Sequence, residues 1–290
     1  MRKSKGEKIF NVFNVIFMIV LVTVTMYPFL NQLAISLSST TGILNEGVTL
    51  LPKDFTFKTY VDIAKEKDFW ISYGNTIIYT VSGTILGLVL TTTTAYALAK
   101  KGLWGGNVIL KMIVFTMFFA GGLIPTFMLY KNLNLTGTIW AILLPMAIVP
   151  YHLLIMKTYF EGLPGELEDA AKIDGLGQFG YFIRIVLPLS KPIIATMTLF
   201  IAVLYWNDWF SALIFLNDKA QYPVTLYLRN AMMGAAMASQ TGETIDATTK
   251  SVPQSIQAAS MILVILPVLC IYPFVQKHFV KGVMIGAIKG

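Results

Sequence analysis

The stretch that decides the fold is residues 69–99, FWISYGNTIIYTVSGTILGLVLTTTTAYALA, which carries no charged side chain over 31 residues. The hydrocarbon core of a bilayer is ~30 Å thick and is crossed by ~20 helical residues. Backbone groups in hydrocarbon must form hydrogen bonds within their own segment. The stretch therefore predicts a membrane-spanning helix.

The composition of the whole 290-residue chain agrees with this prediction. Hydrophobic residues make up 56% and charged residues 13%, about half the ~25% charged share of soluble domains. Mean hydropathy is +0.68. Disorder is excluded because it needs low hydrophobicity, and a disulfide scaffold is excluded because Cys270 is the single cysteine. A polytopic membrane protein remains.

Five further runs with few charges complete the set of predicted spans. The sequence predicts an all-α fold, a single transmembrane domain over 1–290 with six spans, at 9–37, 69–99, 110–131, 134–157, 190–217 and 252–277. Basic residues precede the first run, as in a signal peptide, but its apolar stretch of 22 residues exceeds the ~7–15 of such peptides. We therefore expect it to be retained as an anchor.

The distribution of positive charge predicts the orientation. Six spans put both termini on one side, and 14 of the 22 Lys and Arg residues fall on that side. The positive-inside rule then places both termini in the cytoplasm of a multi-pass protein of the bacterial-type plasma membrane. This asymmetry accounts for the net charge of +7 and favours a lipid bilayer, not nucleic acid, as the partner. A loop over 158–189 and a tail over 278–290 are predicted on the cytoplasmic side.

The loop over 158–189 contains the signals of a short helix. Acids fill its first turn, where the helix dipole favours them, and Glu168 with Lys172 forms an i,i+4 pair. Asp174-Gly175 predicts its end. A second helix is predicted at 178–185.

One face of the first loop helix is expected to suit docking in a partner's groove. It presents Leu167, Ala170, Ala171 and Asp174. The alternative is an amphipathic helix on the lipid surface, which should be rich in Lys and Arg. This helix has one lysine against four acids, so we favour a protein partner.

The same loop also carries a family resemblance. Residues 166–175, ELEDAAKIDG, followed by Leu187-Pro188 and Pro192, resemble the EAA loop of ATP-binding-cassette importer permeases. The Ile-Asp-Gly form, the run 206–208 and the tail 279–290 are similar to the carbohydrate-uptake branch. One departure is Asp169, where the family usually has Glu, which makes an ion pair to an ATPase arginine a weaker inference.

The resemblance implies the transmembrane fold of a type I importer and a set of partners. These are a second, different permease subunit, two ATP-binding-cassette ATPase subunits and an extracellular solute-binding protein. ATP and Mg would be held by the ATPases, with no cofactor on this chain, which would be a permease and not an enzyme. Independently, the chain lacks a Gly-x-x-x-x-Gly-Lys-Ser/Thr phosphate loop. The residues implied to couple to the ATPase are Glu166, Glu168, Asp169, Ala170, Ala171, Asp174 and Gly175.

A polar position inside the fifth span is a candidate for solute contact. Asp208 is the only charge deep in a predicted span, and such residues usually face a cavity or a partner. Its neighbours supply aromatic rings, which can stack on the faces of sugar rings, and an amide, which can form hydrogen bonds with sugar hydroxyls. The candidate pathway residues are Tyr205, Trp206, Asn207, Asp208 and Trp209. Two alternatives are that the polar pair holds helices together and that the tryptophans form an interfacial belt.

Other features of the spans predict packing and bending. Gly83 and Gly87 have the spacing of close helix contacts. Pro125, Pro145 and Pro150 are expected to interrupt the third and fourth spans.

The functional prediction is the permease of an ATP-driven oligosaccharide importer. Permeases for other solutes use related loops and stay an alternative. A self-sufficient secondary transporter usually shows internal repeats and buried ion-coupling sites, of which only Asp208 qualifies. A membrane enzyme would need a cluster of reactive side chains and ranks last.

Overall fold

The structure, a computed structural model, describes residues 5–45, 47–240 and 254–270. Within these ranges the regular structure is helical and contains no strand. The first helices are α1 (Lys5–Ser36), α2 (Thr40–Asn45), α3 (Lys58–Lys65), α4 (Lys67–Ala99), α5 (Gly106–Phe118) and α6 (Leu123–Asn132). Next come α7 (Trp140–Leu143), continued by a 3-10 turn to Met146, α8 (Pro150–Glu161) and α9 (Glu166–Ile173). A composite helix follows, comprising α10 (Gln178–Tyr181), a π-helical turn (Phe182–Val186) and α11 (Leu187–Leu189). The last are α12 (Lys191–Trp206), α13 (Phe210–Phe215), α14 (Val224–Gln240) and α15 (Gln254–Cys270).

The chain divides into two compact units. The described part of the first unit comprises residues up to 70 together with 228–240 and 254–267. Here α1 is apolar around its whole circumference, and its central 18-residue window has no buried side chain. Such a helix is stable when surrounded by lipid or by other apolar helices. Near its end, the Asn31 side chain donates to the carbonyls of Val48 and Thr49 at 2.9 and 2.7 Å, which ties α1 to the following loop.

The second unit contains described residues 71–227 and 268–270. Its main core lies where α4, α8, the composite helix and α12 meet, and includes Ala95, Met156, Val186 and Met197, all at most 1% exposed. Gly83 and Gly87 make the close helix contacts that the sequence predicted, and the helix they approach is α12. A Cβ on Gly83 would lie 2.6 Å from the Tyr205 ring, and one on Gly87 would lie 3.2 Å from Ile201.

Three predicted spans are not continuous helices. The span predicted at 110–131 is α5 and α6, separated by Phe119–Gly122, where Gly122 has φ +90° and is therefore suited to glycine. Pro125 lies inside α6, after this break and not at it. The span predicted at 134–157 bends by 50° between Met146 and Pro150. Pro150, without an N–H, is well placed to begin α8.

The span predicted at 190–217 is also broken, because α12 ends at Trp206 and α13 begins at Phe210. At its other end, the composite helix and α12 meet at an angle of 81° around Ser190. The second loop helix therefore extends to Leu189, beyond the predicted 185.

The polytopic helical fold is confirmed by the number of long apolar segments. By length and composition two helices, α1 and α4, could each cross a membrane, and the two bent pairs raise this number to four. Two further apolar helices, α5 and α15, are shorter than α1 and α4 within the part of the chain that the structure describes. The count of six spans and the single functional domain stay predictions, and residues 271–277 of the last span and the tail 278–290 lie outside the described residues.

Candidate coupling site and solute pathway

The predicted short helix of the loop forms as α9, with the expected start and end. Glu166, Glu168 and Asp169 lie in its first turn. It ends where Gly175 adopts φ +76°, and Leu176 N–H donates to the Ala171 carbonyl at 2.9 Å. A left-handed glycine with this hydrogen-bond pattern is a common helix stop.

The two alanines of α9 lie on opposite faces. Ala171 is 1% exposed and belongs to the core of the second unit, and Leu167 packs against the same core. Ala170 and Asp169 are exposed, and Ile173 is 87% exposed. The expectation that Ala170 and Ala171 share one docking face is wrong, because α9 uses the Ala171 side to pack on its own protein. The accessible face comprises Glu166, Asp169, Ala170 and Ile173.

A lysine at the end of α4 holds α9 in place. The Nζ of Lys100 donates to Glu168 Oε2 at 2.6 Å, and the two side chains are 24% and 25% exposed. The same Nζ lies 4.8 Å from the Tyr96 ring centre and 4.9 Å from that of Tyr181, within cation–π range. Gln178 Nε2 donates to Glu168 Oε1 at 3.0 Å. These five residues, which we call the Lys100 cluster, join α4, α9 and α10.

The cluster stabilises the charged form of its carboxylate. Hydrogen bonds from Gln178 and Lys100 lower the pKa of Glu168 to about 2. Burial lowers the pKa of Lys100, but hydrogen bonds with Glu168 and Tyr96 outweigh it, and the net pKa lies above the ordinary value. The predicted pair of Glu168 with Lys172 also forms, at 3.4 Å, but Lys100 is the closer partner.

A cavity of about 460 Å³ lies beside the cluster, between the ends of α4 and α8 and the start of α9. Lys100, Lys101 and Lys172 line it, and so do Glu161, Glu168 and Asp169. Three positive and three negative side chains make the charge of the lining balanced. Part of this charge is paired within the protein, because Lys172 lies 3.4 Å from Glu168 and 3.6 Å from Asp169.

The structure separates the candidate pathway residues of the fifth span. Tyr205 and Trp206 are buried, at 2% and 9% exposed, and the Tyr205 hydroxyl donates to the Leu143 carbonyl at 2.6 Å. Asn207 is exposed at the break between α12 and α13, and Trp209 is partly exposed. Of the five residues, Asn207 and Trp209 are the ones whose side chains are not buried.

Asp208 takes a structural role at the same break. It is 9% exposed, and its Oδ1 accepts the Ser211 N–H at 3.1 Å, which caps the start of α13. Its carbonyl accepts from the Thr225 hydroxyl at 3.0 Å. The side-chain contact is therefore local, and only the main-chain carbonyl of Asp208 joins a distant residue. The Asn207 side chain donates to the carbonyl of Val203, one turn earlier, so neither polar side chain links neighbouring helices among the described residues.

Comparison with known proteins decides the family. Residues 7–285 match the model of the binding-protein-dependent transport system inner membrane component. The chain belongs to this family. It is a membrane-integral permease subunit with the type I importer fold.

Several characterised proteins are similar to this permease over its whole length. Protein LplC of Bacillus subtilis is 42% identical, over 100% of this chain and 98% of its own. The polygalacturonan/rhamnogalacturonan transport system permease protein YtcP of the same organism is 37% identical, over 94% and 96%. A solved bacterial ABC transporter involved in import of the acidic polysaccharide alginate has a chain with TM-score 0.88 and 31% identity, covering 96% of this chain and 99% of that one.

Sequence reasoning missed two features of this permease. The first is the role of Lys100 in attaching α9. The sequence indicates it only weakly, since Lys100 stands out just as the first charge after a run of 31 uncharged residues. The second is the break at Phe119–Gly122, which has a clearer signal, the pair Gly121-Gly122 inside an apolar run.

Proposed function

We propose that this permease imports an oligosaccharide and that separate ATPase subunits supply the energy through α9. The relatives support the solute class, because YtcP is named for polygalacturonan and rhamnogalacturonan and the AraQ permeases for arabinooligosaccharides. The similar solved transporter takes part in alginate import.

The observation that carries the proposal is the two-sided character of α9. Ala171 and Leu167 pack on the core and Lys100 fixes Glu168, so the inner side is firmly attached to the bundle. The other side, with Ala170 and Ile173, is exposed. A short helix attached on one side and open on the other can receive a partner's motion and pass it to the bundle.

The mechanism follows from these attachments. Binding of ATP, with Mg, brings the two ATPases together and moves the docked α9. The Lys100 cluster carries the displacement to α4, and the composite helix carries it to α12. The spans then alternate between outward and inward access. A second, different permease forms the other half of the pathway, and an extracellular solute-binding protein delivers the solute. Both termini lie in the cytoplasm.

Substitution at Ala170 tests the docking of α9. Ala170→Arg places a long charged side chain on the accessible face, while Ala170→Ser keeps the residue small and is the matched control. We expect the arginine variant to insert and pair with the second permease, but to lose the co-purified ATPase or at least 90% of import. The serine variant should retain both. If the arginine variant assembles and imports like the wild type, α9 is not the docking element.

A solute panel tests the substrate class. The assembled complex, with its binding protein, is assayed for ATP hydrolysis with galacturonan, alginate and arabinan oligosaccharides, and with amino acids and peptides as controls. Stimulation by a saccharide alone supports the proposal. Stimulation by an amino acid or peptide alone refutes the substrate class while leaving the docking result intact.

A further inference from the structure

Three of the predicted spans are interrupted. The interruptions are residues 119–122, 147–149 and 207–209. Taking the side of the protein that carries α9 as the loop side, α5, α8 and α12 have 13, 12 and 16 residues between their loop-side ends and the breaks. At 1.5 Å per residue these lengths are about 20, 18 and 24 Å. In the sequence, the break at Phe119–Gly122 lies near the middle of the charge-free run 112–130, between Lys111 and Lys131, and therefore within the predicted hydrocarbon span.

Beyond the breaks, the shorter half-helices pack on one another. The Phe215 ring of α13 stacks on Phe127 and Tyr130 of α6, with ring centres 6.3 and 4.7 Å apart. Ile142 of α7 shares a core cluster with Ala212 of α13. The far halves of the three broken spans thus form one packed group.

The loop-side half-helices form a second packed group. Met156 of α8 and Met197 of α12 lie in the main core, and Ile113 of α5 packs against it. The three breaks consequently lie between two packed groups of half-helices, as in transporters that bind their solutes at discontinuous helices.

Of the three breaks, Phe119–Gly122 has the longest run of unpaired backbone N–H groups. Among the described residues, the N–H groups of Ala120, Gly121 and Gly122 donate no hydrogen bond, whereas Phe119 N–H still donates to the Phe115 carbonyl at 3.1 Å. All residues of this break are exposed in the chain. At the third break the N–H groups of Asn207 and Asp208 are paired, and at the second break the N–H of Ala147 is paired while those of Ile148 and Val149 donate no backbone hydrogen bond within the described ranges.

Unpaired backbone at this depth limits what can surround it. Lipid tails offer no acceptor, and irregular backbone within a membrane is found where it is covered by protein or lines a water-filled cavity. The helices of a neighbouring subunit already use their own carbonyls. Three adjacent donors are therefore best satisfied by water and by a solute rich in oxygen.

We propose that Phe119–Gly122 lines the solute pathway and binds the passing saccharide. The three N–H groups donate to hydroxyl or carboxylate oxygens, and the Phe119 ring packs against the apolar face of a sugar. That ring is 65% exposed and is held by a stack on Phe115, with ring centres 4.4 Å apart. An apolar wall with a few fixed polar groups is the usual composition of a ligand site. The proposal rests on the proposed function.

Thiol labelling of the assembled complex tests the assignment. Cys270 is the only native cysteine, so Cys270→Ala gives a cysteine-free parent, whose retained import is checked first. Ala120→Cys is then compared with Val20→Cys, at the middle of α1. The reagent is a membrane-impermeant, positively charged methanethiosulfonate. We expect Ala120→Cys to react at least 10-fold faster than Val20→Cys, and to be slowed at least threefold by the oligosaccharide that stimulates ATP hydrolysis.

The outcomes separate this inference from the proposed function. If the parent imports an oligosaccharide but Ala120→Cys does not react, or reacts equally with and without the sugar, the binding site is refuted and the proposed function stands. If no saccharide stimulates the parent, the proposed function fails first. As a second measurement, Phe119→Leu should raise the half-saturating solute concentration by roughly 2- to 10-fold, with Phe10→Leu in the exposed part of α1 as the control without effect.

Discussion

Replacing Glu168 with glutamine should destabilise the loop side of the bundle by a predictable amount. The variant removes the carboxylate that accepts from Lys100 and Gln178. A pKa of about 2, against 4.5 for the free side chain, corresponds to an upper limit of about 3 kcal/mol at neutral pH. Because a quarter of each charged side chain remains exposed, solvent screening reduces the expected loss to about 1–2 kcal/mol.

The stability that Glu168→Gln loses depends on pH in a defined direction. The pKa of Glu168 is depressed in the folded protein, so its contribution to stability is fully present above the unfolded value of 4.5 and is lost as the pH falls towards 2. Glutamine does not titrate. The difference in stability between wild type and Glu168→Gln should therefore be largest at pH 7 and shrink progressively below pH 4.5.

The assay is the midpoint of thermal unfolding of the permease in lipid nanodiscs, measured at several pH values from 7 to 3. We expect Glu168→Gln to lower the midpoint by about 2–8 °C at pH 7. Glu161→Gln is the matched control, because the Glu161 side chain is 46% exposed and its i,i+4 pair with Lys157 contributes about 0.3–0.5 kcal/mol. A difference between wild type and Glu168→Gln that stays constant from pH 7 to pH 3 would refute the reasoning.

Two further predictions concern the bundle. Gly83→Ala should cost about 1–3 kcal/mol of stability, since its methyl group would lie 2.6 Å from the Tyr205 ring. Gly74→Ala has open space around it in the same helix, so it should leave the unfolding midpoint unchanged or raise it, because alanine is the better helix former by up to about 1 kcal/mol. Equal midpoints for the two variants would contradict the packing. Asp208→Ala should cost about 1 kcal/mol of stability, because the hydrogen bond to the Ser211 N–H is lost. Asp208→Asn keeps an acceptor for this N–H and should retain import. Loss of import by the asparagine variant at normal stability would instead indicate a direct role for the carboxylate.

The sequence was sufficient to predict the elements whose signal is local. The uncharged run 69–99 predicted α4, which the structure places at Lys67–Ala99. The acids at the start of α9 and Gly175 at its end predicted that helix, because dipole, pairing and left-handed glycine act within one or two turns.

Features that depend on distant residues were not predictable in the same way. Ala170 and Ala171 are the same residue type, so the sequence does not tell which of them is buried. Ala171 is buried because it lies in the core cluster that includes Met156 and Phe160, and Ala170 stays exposed. The pairing of Lys100 with Glu168 joins residues 68 positions apart, across the helices α5 to α8. Helix breaks inside an apolar run have a weak sequence signal, because charge spacing measures the length of a span and not its continuity.

The corner at Ser190, where the composite helix and α12 meet at 81°, converts a small rotation into a large shift. With 16 residues, α12 is about 24 Å long. A rotation of the corner by about 10° would sweep the Trp206 end of α12 through about 4 Å, close to the width of a sugar ring. A modest rotation at Ser190 would thus displace the break at Asn207 by several ångströms.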